Sequence, residues 1–382
     1  MVSPLLSAAI VATCASGAAS VLVVLSQRWH GKHTLDHDLE GVQKFHTTAV
    51  PRIGGAAIVL ALLASVLLCH RMALDLLPSA HLTIAGLLLL SGMPSFMSGM
   101  VEDLTKKVSV RARFLASIAS AVTASWLLGA TVDQLDIWGV DVLLGWGPFA
   151  LVVTAIVVSG GINAINIIDG FNGLAASAVI VMLAAMGVVG WQVGDMLVAE
   201  LAMLGLGAAA GFLLVNYPTG RLFLGDGGAY FLGFWVAEVA VLLMVRNNSV
   251  NAWQVLSILA YPVIEVLYSI YRRRIVRKAS PGSPDGLHLH TLVYRRVVPK
   301  LIATHTAQPW RRNAMVALVI MPIVALAALF GVVGGQTVLG GMAIVAGQLA
   351  VYLLIYARLV RGRWSTRPAT PLSATVTDLN IV

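Results

Sequence analysis

Apolar residues fill the chain in long unbroken runs, at 3–26, 53–74, 80–99, 114–130, 147–165, 173–191, 196–215, 228–245, 252–271, 314–333 and 337–357. Each run is close to the roughly 20 residues that a helix needs to cross the hydrocarbon core of a bilayer. The pattern predicts an all-α polytopic membrane protein with about eleven transmembrane helices. Polar sequence is confined to short connections, the longest being 272–312, then 27–52 and 100–113. Residues 1–360 therefore read as a single transmembrane domain, and 361–382 as a tail expected to be disordered and cytoplasmic.

Composition agrees. Hydrophobic residues make up 58% of the 382 and charged ones 11%, whereas soluble domains carry about 25% charged residues. Cys14 and Cys69 lie in apolar runs and are expected to be small core residues, neither a redox pair nor a metal site. Charge sets an orientation: all but Arg71 and Arg246 of the 25 Lys and Arg residues fall on one side when the loops alternate. The positive-inside rule then puts the N-terminus outside and the C-terminus inside. No Lys or Arg precedes the first run, which reads as an uncleaved span rather than a signal peptide. The net charge of +8 needs no nucleic acid to explain it, being the positive-inside bias with an affinity for anionic headgroups and phosphorylated ligands.

Polar clusters on that same side carry the chemistry. Glu102-Asp103 precedes Lys106, Lys107, Arg111 and Arg113; the carboxylates suit a divalent cation or a proton, and the basic residues suit phosphate. Taken alone, this segment reads equally well as a solvated helix end. Asn163, Asn166, Asp169 and Asn172 recur every third residue and converge near one helical face. Amide packing between helices is the plainer explanation, but four convergent polar groups with two glycines exceed what packing requires. Asp226 stands among Gly225, Gly227 and Gly228 at the start of a span, where free N–H groups and the positive helix end attract phosphate; an N-cap would account for the Asp but not the glycines. His288-Leu289-His290 with Arg295 and Arg296 suits a diphosphate better than zinc, because no third ligand stands at a fitting spacing. Lys44 and Arg52 close the first loop of that side. Acids, amides, histidines and arginines at one membrane face describe a site for magnesium and phosphate, and phosphoryl transfer is the matching chemistry.

These segments resemble a known family. PRIGG at 51–55, NAINIIDGFNGLA at 163–175, LGDGGAYFLGF at 224–234 and HLH at 288–290 are similar, in order, to the polyprenyl-phosphate N-acetylhexosaminyl-1-phosphate transferases. That resemblance implies a magnesium-dependent enzyme, manganese being a substitute, embedded in the bacterial inner membrane with a cytoplasmic active site. It would move a sugar 1-phosphate from a UDP-N-acetyl sugar to undecaprenyl phosphate and release UMP. By the same resemblance Asp226 and Asn166 are metal ligands, and Asp103, Glu102 and Asp169 are catalytic. Lys44, Arg52, Asn172, His288, His290 and Arg295 are implied in substrate binding; Asn163 and Arg111 are added from their clusters. Two departures stand out: the usual Asp-Asp is Glu102-Asp103, and the usual second Asp of the DGxDG motif is Asn172. PRIGG and the single HLH resemble the WecA-like branch, which initiates O-antigen-type polysaccharide from GlcNAc or a derivative such as QuiNAc or FucNAc, more than the MraY-like branch of peptidoglycan synthesis.

Two other classes make different demands. A lipid-linked sugar transporter predicts mid-span acids or interrupted spans in matching halves. A CDP-alcohol phosphatidyltransferase needs Ala-Arg and two further spaced acids after its DG, where this chain has FNGLAAS. Small residues between Gly331 and Gly341 permit a homodimer.

Overall fold

In the computed structural model the described residues are 2–36, 49–71, 77–276, 278, 285–303 and 308–361, so Lys44 and the tail lie outside them. The chain forms α1 (Val2–Thr34), α2 (Gly54–Arg71), α3 (Ser79–Ser91), α4 (Met93–Thr105), α5 (Val110–Leu128), α6 (Val140–Leu144), α7 (Gly147–Ile168) and α8 (Leu174–Gln192). It continues as α9 (Met196–Asn216), α10 (Gly225–Arg246), α11 (Ala252–Ile258), α12 (Ala260–Tyr271) with a π-helical extension Arg272–Val276, α13 (Leu289–Arg296), α14 (Val298–Leu301), α15 (Trp310–Gly334) and α16 (Val338–Val360).

Among the described residues every apolar run forms a helix or a bent pair of helices. Among the described residues seven helices are long and apolar enough to span a membrane, nine if each bent pair is one span. This is a multi-pass membrane protein. Of the eleven expected spans, α2 is the short one, and α5 carries Arg111 and Arg113 in its first turn. The bends have local causes. Gly92 joins α3 to α4 at 43°, with Pro94 in the first turn of α4 and the rings of Phe231 and Phe234 where a side chain on Gly92 would lie. Between α11 and α12 the chain turns by 85° at Leu259, shortly before Pro262, which cannot donate to a continuing helix.

Helix α10 is the axis of the bundle. Nearly all its residues are buried, and it packs on α4, α7, α2, α8 and α9. On α1 the stripe Ala8, Ala12, Ser16, Ser20 is fully buried, and Ser16 Oγ donates to the Ala208 carbonyl of α9 at 2.6 Å. Small residues at this spacing let two helices approach closely in a medium that gives no hydrophobic drive for association. Cys69 is buried as expected, whereas Cys14 is exposed, pointing away from the bundle. Of the glycines between 331 and 341, Gly331 and Gly341 are buried against the chain's own helices, while Gly334 is exposed. A side chain on Gly331 would collide with Ser257, and one on Gly341 would come within 2.8 Å of Trp253.

Candidate active site

The end of the bundle where α1, α4, α7 and α9 finish and α2, α5, α8 and α10 begin holds the polar clusters. A backbone clamp sets its floor. Arg52 N–H donates to Thr34 O at 2.9 Å, Phe223 N–H to Pro51 O at 2.9 Å, and Gly54 and Gly55 N–H to Phe223 and Leu224 carbonyls at 3.0 Å each. The PRIGG segment is thus pinned between the end of α1 and the approach to α10, which fixes where Arg52 points.

Helix α4 and the start of α10 then meet without intervening side chains. A Cβ on Gly99 of α4 would lie 2.5 Å from Gly227 N and 2.6 Å from the Asp226 carbonyl. Gly225 has φ +75° and would place a Cβ 2.5 Å from Asp103 Oδ2, a position only glycine fills without strain. Into this junction Asp103 projects, accepting from Asp226 N–H at 3.0 Å and Gly227 N–H at 2.9 Å. Asp226 is thereby seated on the first turn of α10. Arg113 Nη1 donates to its Oδ2 at 2.5 Å, Asn166 Nδ2 donates to its Oδ1 at 3.1 Å, and Arg52 Nη2 stands 3.8 Å from Oδ1. Arg52 also reaches Asp103 at 3.3 Å and Asp36 at 3.4 Å. Burial disfavours its charge, yet Asp103, Asp226 and Asp36 together hold the guanidinium above its ordinary value.

Beside them lies a cavity of about 310 Å³ whose wall includes Arg52, Asn166, Asp169, Asn172, Asp226, His288 and His290. Seven of the expected site residues, from four separate segments, are brought together. Asp169 follows the last turn of α7; burial, then the charge of Asp226, push its carboxyl up to about 7 against the pull of Arg52. A carboxyl poised there, in a cleft, is the kind of perturbed group that marks functional sites.

The opposite wall is the histidine loop. His288 Nδ1 is 2.8 Å from Glu265 Oε1, and the His288 and His290 rings stack with centroids 5.2 Å apart. Burial pulls His290 down to about 4 even with Glu265 nearby, which favours the neutral ring, and the ring stands edge-on to Phe171 with centroids 5.6 Å apart. Beneath the loop, Arg272 bonds Asp285, donates to the Leu287 carbonyl at 2.8 Å and donates to the Tyr356 hydroxyl at 2.7 Å. Burial would raise the Asp285 carboxyl, but Arg272, His288 and the Leu287 N–H hold it below the usual range.

Several expected residues have other work. Asp103 is off the cavity wall, with a side chain 1% exposed; it seats Asp226. Glu102 accepts from Val108 N–H at 2.8 Å and closes the turn after α4. Asn163 donates to the Ser159 carbonyl one turn back at 2.7 Å. Asn172 lines the cavity, but its amide donates to the Pro218 carbonyl at 3.0 Å, and its N–H donates to Asn313 Oδ1 at 2.7 Å. Arg111 and Arg295 are exposed and off the wall. Lys44 lies outside the described residues. Residues not singled out as site members also contribute: Arg113, visible only as one of a basic group, Asp36, Glu265 and Asn216. Asn216 Oδ1 accepts from Gly173 N–H at 2.6 Å while its Nδ2 donates to the Leu222 carbonyl at 2.7 Å, tying α8 to the approach to α10.

Asp226, Asp169 and the amide oxygen that Asn166 can present by rotation offer hard oxygen donors. No cluster of three His, Cys, Asp or Glu forms a closed cage among the described residues. One or two carboxylates facing a phosphate-sized space is the way proteins usually hold magnesium, leaving waters and substrate oxygens as the other ligands. The donor set fits that ion.

Comparison with known proteins follows the same lines. Residues 85–244 match the model of "Glycosyl transferase family 4", a span that includes Asp103, Asn166, Asp169 and Asp226. A probable undecaprenyl-phosphate N-acetylglucosaminyl 1-phosphate transferase of Bacillus subtilis is 28% identical over 254 residues, 65% of this chain and 66% of that protein. The undecaprenyl-phosphate alpha-N-acetylglucosaminyl 1-phosphate transferase of Yersinia pestis is 27% identical over 337 residues, 86% of this chain and 84% of its own length. The protein of the same name from Salmonella typhi is 30% identical over 266 residues, 68% of this chain and 69% of its own length. With its acids and arginines gathered at one helix junction, and with relatives matched across most of its length, the chain belongs to glycosyl transferase family 4.

Proposed function

We propose that the protein transfers N-acetylglucosamine 1-phosphate, or the 1-phosphate of a closely related N-acetyl sugar, from its UDP donor to undecaprenyl phosphate. UMP leaves, and the lipid-linked product starts a surface polysaccharide. The carrying observation is Asp226 at the N-terminus of α10, gripped by Arg113 and Asn166 with Arg52 alongside, on the wall of a cavity at the membrane face. The relatives' names support these substrates, and the charge asymmetry supports a cytoplasmic position for this face with the N-terminus outside; on this reading the chain crosses the bacterial inner membrane in about eleven spans.

The reaction is a displacement at the β-phosphorus of the UDP-sugar. An oxygen of the acceptor phosphate forms the new P–O bond, and the bridging oxygen leaves with its electron pair on UMP. Magnesium, held by Asp226 with Asn166 and Asp169 nearby, would supply charge neutralisation of the diphosphate. Arg52 and Arg113, released from Asp226 as the diphosphate enters, add positive charge beside it, and the N-terminus of α10 adds its dipole. The acceptor phosphate is expected to lose its last proton near pH 6, by analogy with other phosphomonoesters. Asp169, with its affinity for a proton near 7 and its place on the cavity wall, is the better-placed group to take it than the enclosed Asp103. Transfer of radiolabel from a panel of UDP-N-acetyl sugars to undecaprenyl phosphate tests the reading. Lipid-soluble label, lost with EDTA and with Asp226→Asn, supports it; folded protein inactive with every donor overturns it.

A further inference from the structure

Glu265 of α12 is fully buried beneath the histidine loop, and no feature of its apolar surroundings in the sequence marks it. Three donors from two segments, the histidine loop and α16, converge on it. His288 Nδ1 lies 2.8 Å from Oε1, Leu289 N–H donates to Oε2 at 3.2 Å, and the Tyr352 hydroxyl of α16 donates to Oε2 at 3.0 Å. A carboxylate taking three donors is an acceptor only, so the proton on His288 belongs on Nδ1. That leaves Nε2 as the ring atom available to a ligand, on a side chain that borders the same cavity as Asp226 and Arg52. The ring has little freedom otherwise, with His290 stacked on one face at an interplanar angle of 14°.

Capping α13 would need only the bond to Leu289. The bond to the ring and the bond from α16 are additional, and they do what a second carboxylate-to-histidine contact does at metal and catalytic sites, fixing tautomer and orientation. We propose that Glu265 is a positioning residue for the transfer reaction: it holds His288 with Nδ1–H inward and Nε2 presented to the substrate diphosphate, and its charge supports a positive ring there once the anion is bound. This rests on the phosphotransfer reading above. The charged and titratable groups around the ring are Glu265 on α12, Tyr352 on α16, Asp285 at 3.9 Å from Nε2, Arg272 bonded to Asp285, and neutral His290.

The test compares Glu265→Gln, Glu265→Asp, His288→Asn and the double variant Glu265→Gln/His288→Asn in full-length protein, following kcat and KM against pH. Gln keeps an acceptor oxygen and the volume but not the charge. A loss of about tenfold or more in kcat/KM is expected for Glu265→Gln, with the alkaline limb of the profile, where a required positive ring loses its proton, moved to lower pH and restored by Glu265→Asp. In the double variant the Gln change should cost nothing beyond His288→Asn, because the two act as one unit. An equal loss with and without His288, or a lowered melting temperature with the pH profile unmoved, reduces Glu265 to a cap and overturns the proposal. Should wild-type protein transfer no label from any donor, the reaction reading fails, and ¹⁵N-histidine NMR decides this one separately. An Nδ1–H signal absent from His288→Asn and altered in Glu265→Gln supports the contact; its absence from wild type sinks it.

Discussion

The two walls of the cavity are built on opposite terms. On the Asp226 wall the carboxylate is 18% exposed and its partners are two arginines that themselves remain about one-fifth exposed. On the His288 wall the acids are sealed: Glu265 is 0% and Asp285 6% exposed, and each is engaged by several groups. Charges left partly in water exchange partners at small cost, since solvent offsets most of what an exposed ion pair gains. Sealed ones do not, because breaking a buried pair strands a desolvated charge. The first wall is suited to releasing its arginines to an incoming diphosphate, and the second to holding one geometry throughout. A site that must bind and release two anions in every turnover benefits from having one of each.

The strongest break in that comparison is Asp226→Asn. It removes the charge that orders Arg52, Arg113 and Asn166 while leaving the backbone bonds to Asp103 intact. Activity is expected to fall by at least about 100-fold, with a thermal melt close to wild type. A large drop in melting temperature instead would mean that the open wall is structural after all. Gly99→Ala comes next and acts on the packing beneath the same wall. Its methyl would sit 2.5 Å from Gly227 N, backbone against backbone, so α4 and α10 must part. Overpacking of this kind costs about 1–3 kcal/mol, read as a lowered melting point, together with reduced transfer because Asp103 no longer meets the α10 N-terminus squarely.

The open wall was the more legible of the two in the sequence. Asp226 between glycines, Asn166 and Asp169 at a spacing of three, and Arg52 in PRIGG all announce themselves as polar residues where a membrane protein has no need of them. What the spacing could not reveal is which polar groups face the cavity and which hold the scaffold. Asn163 and Asn172 share the period of Asn166 and Asp169 yet spend their amides on Ser159 and Pro218 carbonyls; Asn163 turns back on its own helix, and Asn172 lies beyond Ile168, where the helix ends and the period stops describing a face. The sealed wall was half hidden. HLH is conspicuous, but Glu265, like Glu200 and Glu238, is a single acid inside an apolar run. Its partners lie 23 and 87 residues away along the chain, a pairing that only the bend at Leu259 and the return of α16 bring about.

A subtler way to sharpen the contrast uses pH. Asp169 belongs to the open wall, and its carboxyl, raised to about 7, is protonated below that value and ionised above it. The unfolded chain ionises near the ordinary carboxyl value of about 4. The protonated native form therefore gives stability that is fully present below about pH 4 and is lost as pH rises through 7. Metal-free protein should show its melting point falling between pH 5 and 8, and Asp169→Asn should flatten that trend. If a divalent cation shares this wall, added magnesium should restore the melting point most at the alkaline end. An Asp169→Asn protein that keeps the wild-type slope would assign the trend to another group.

The smallest expected effect belongs to the sealed wall. Tyr356→Phe deletes a hydroxyl that accepts from Arg272 Nη1 at 2.7 Å. That same nitrogen also donates to the Leu287 carbonyl at 2.8 Å, and the other arm of Arg272 stays bonded to Asp285. The guanidinium also keeps its place over the ring of residue 356, 5.5 Å from the centroid, and a phenylalanine ring preserves this contact. Losing one of several hydrogen bonds to a charged group should cost about 1–2 kcal/mol, a shift of a few degrees in the melt, with transfer activity within about twofold of wild type. Tyr352→Phe makes the instructive partner, because its hydroxyl is bonded to Glu265 itself. If the sealed wall works by redundancy, both phenylalanine variants stay active and only their combination loosens the loop. If it works through Glu265 alone, Tyr352→Phe loses activity while Tyr356→Phe does not, and the rigidity of that wall resolves to a single carboxylate.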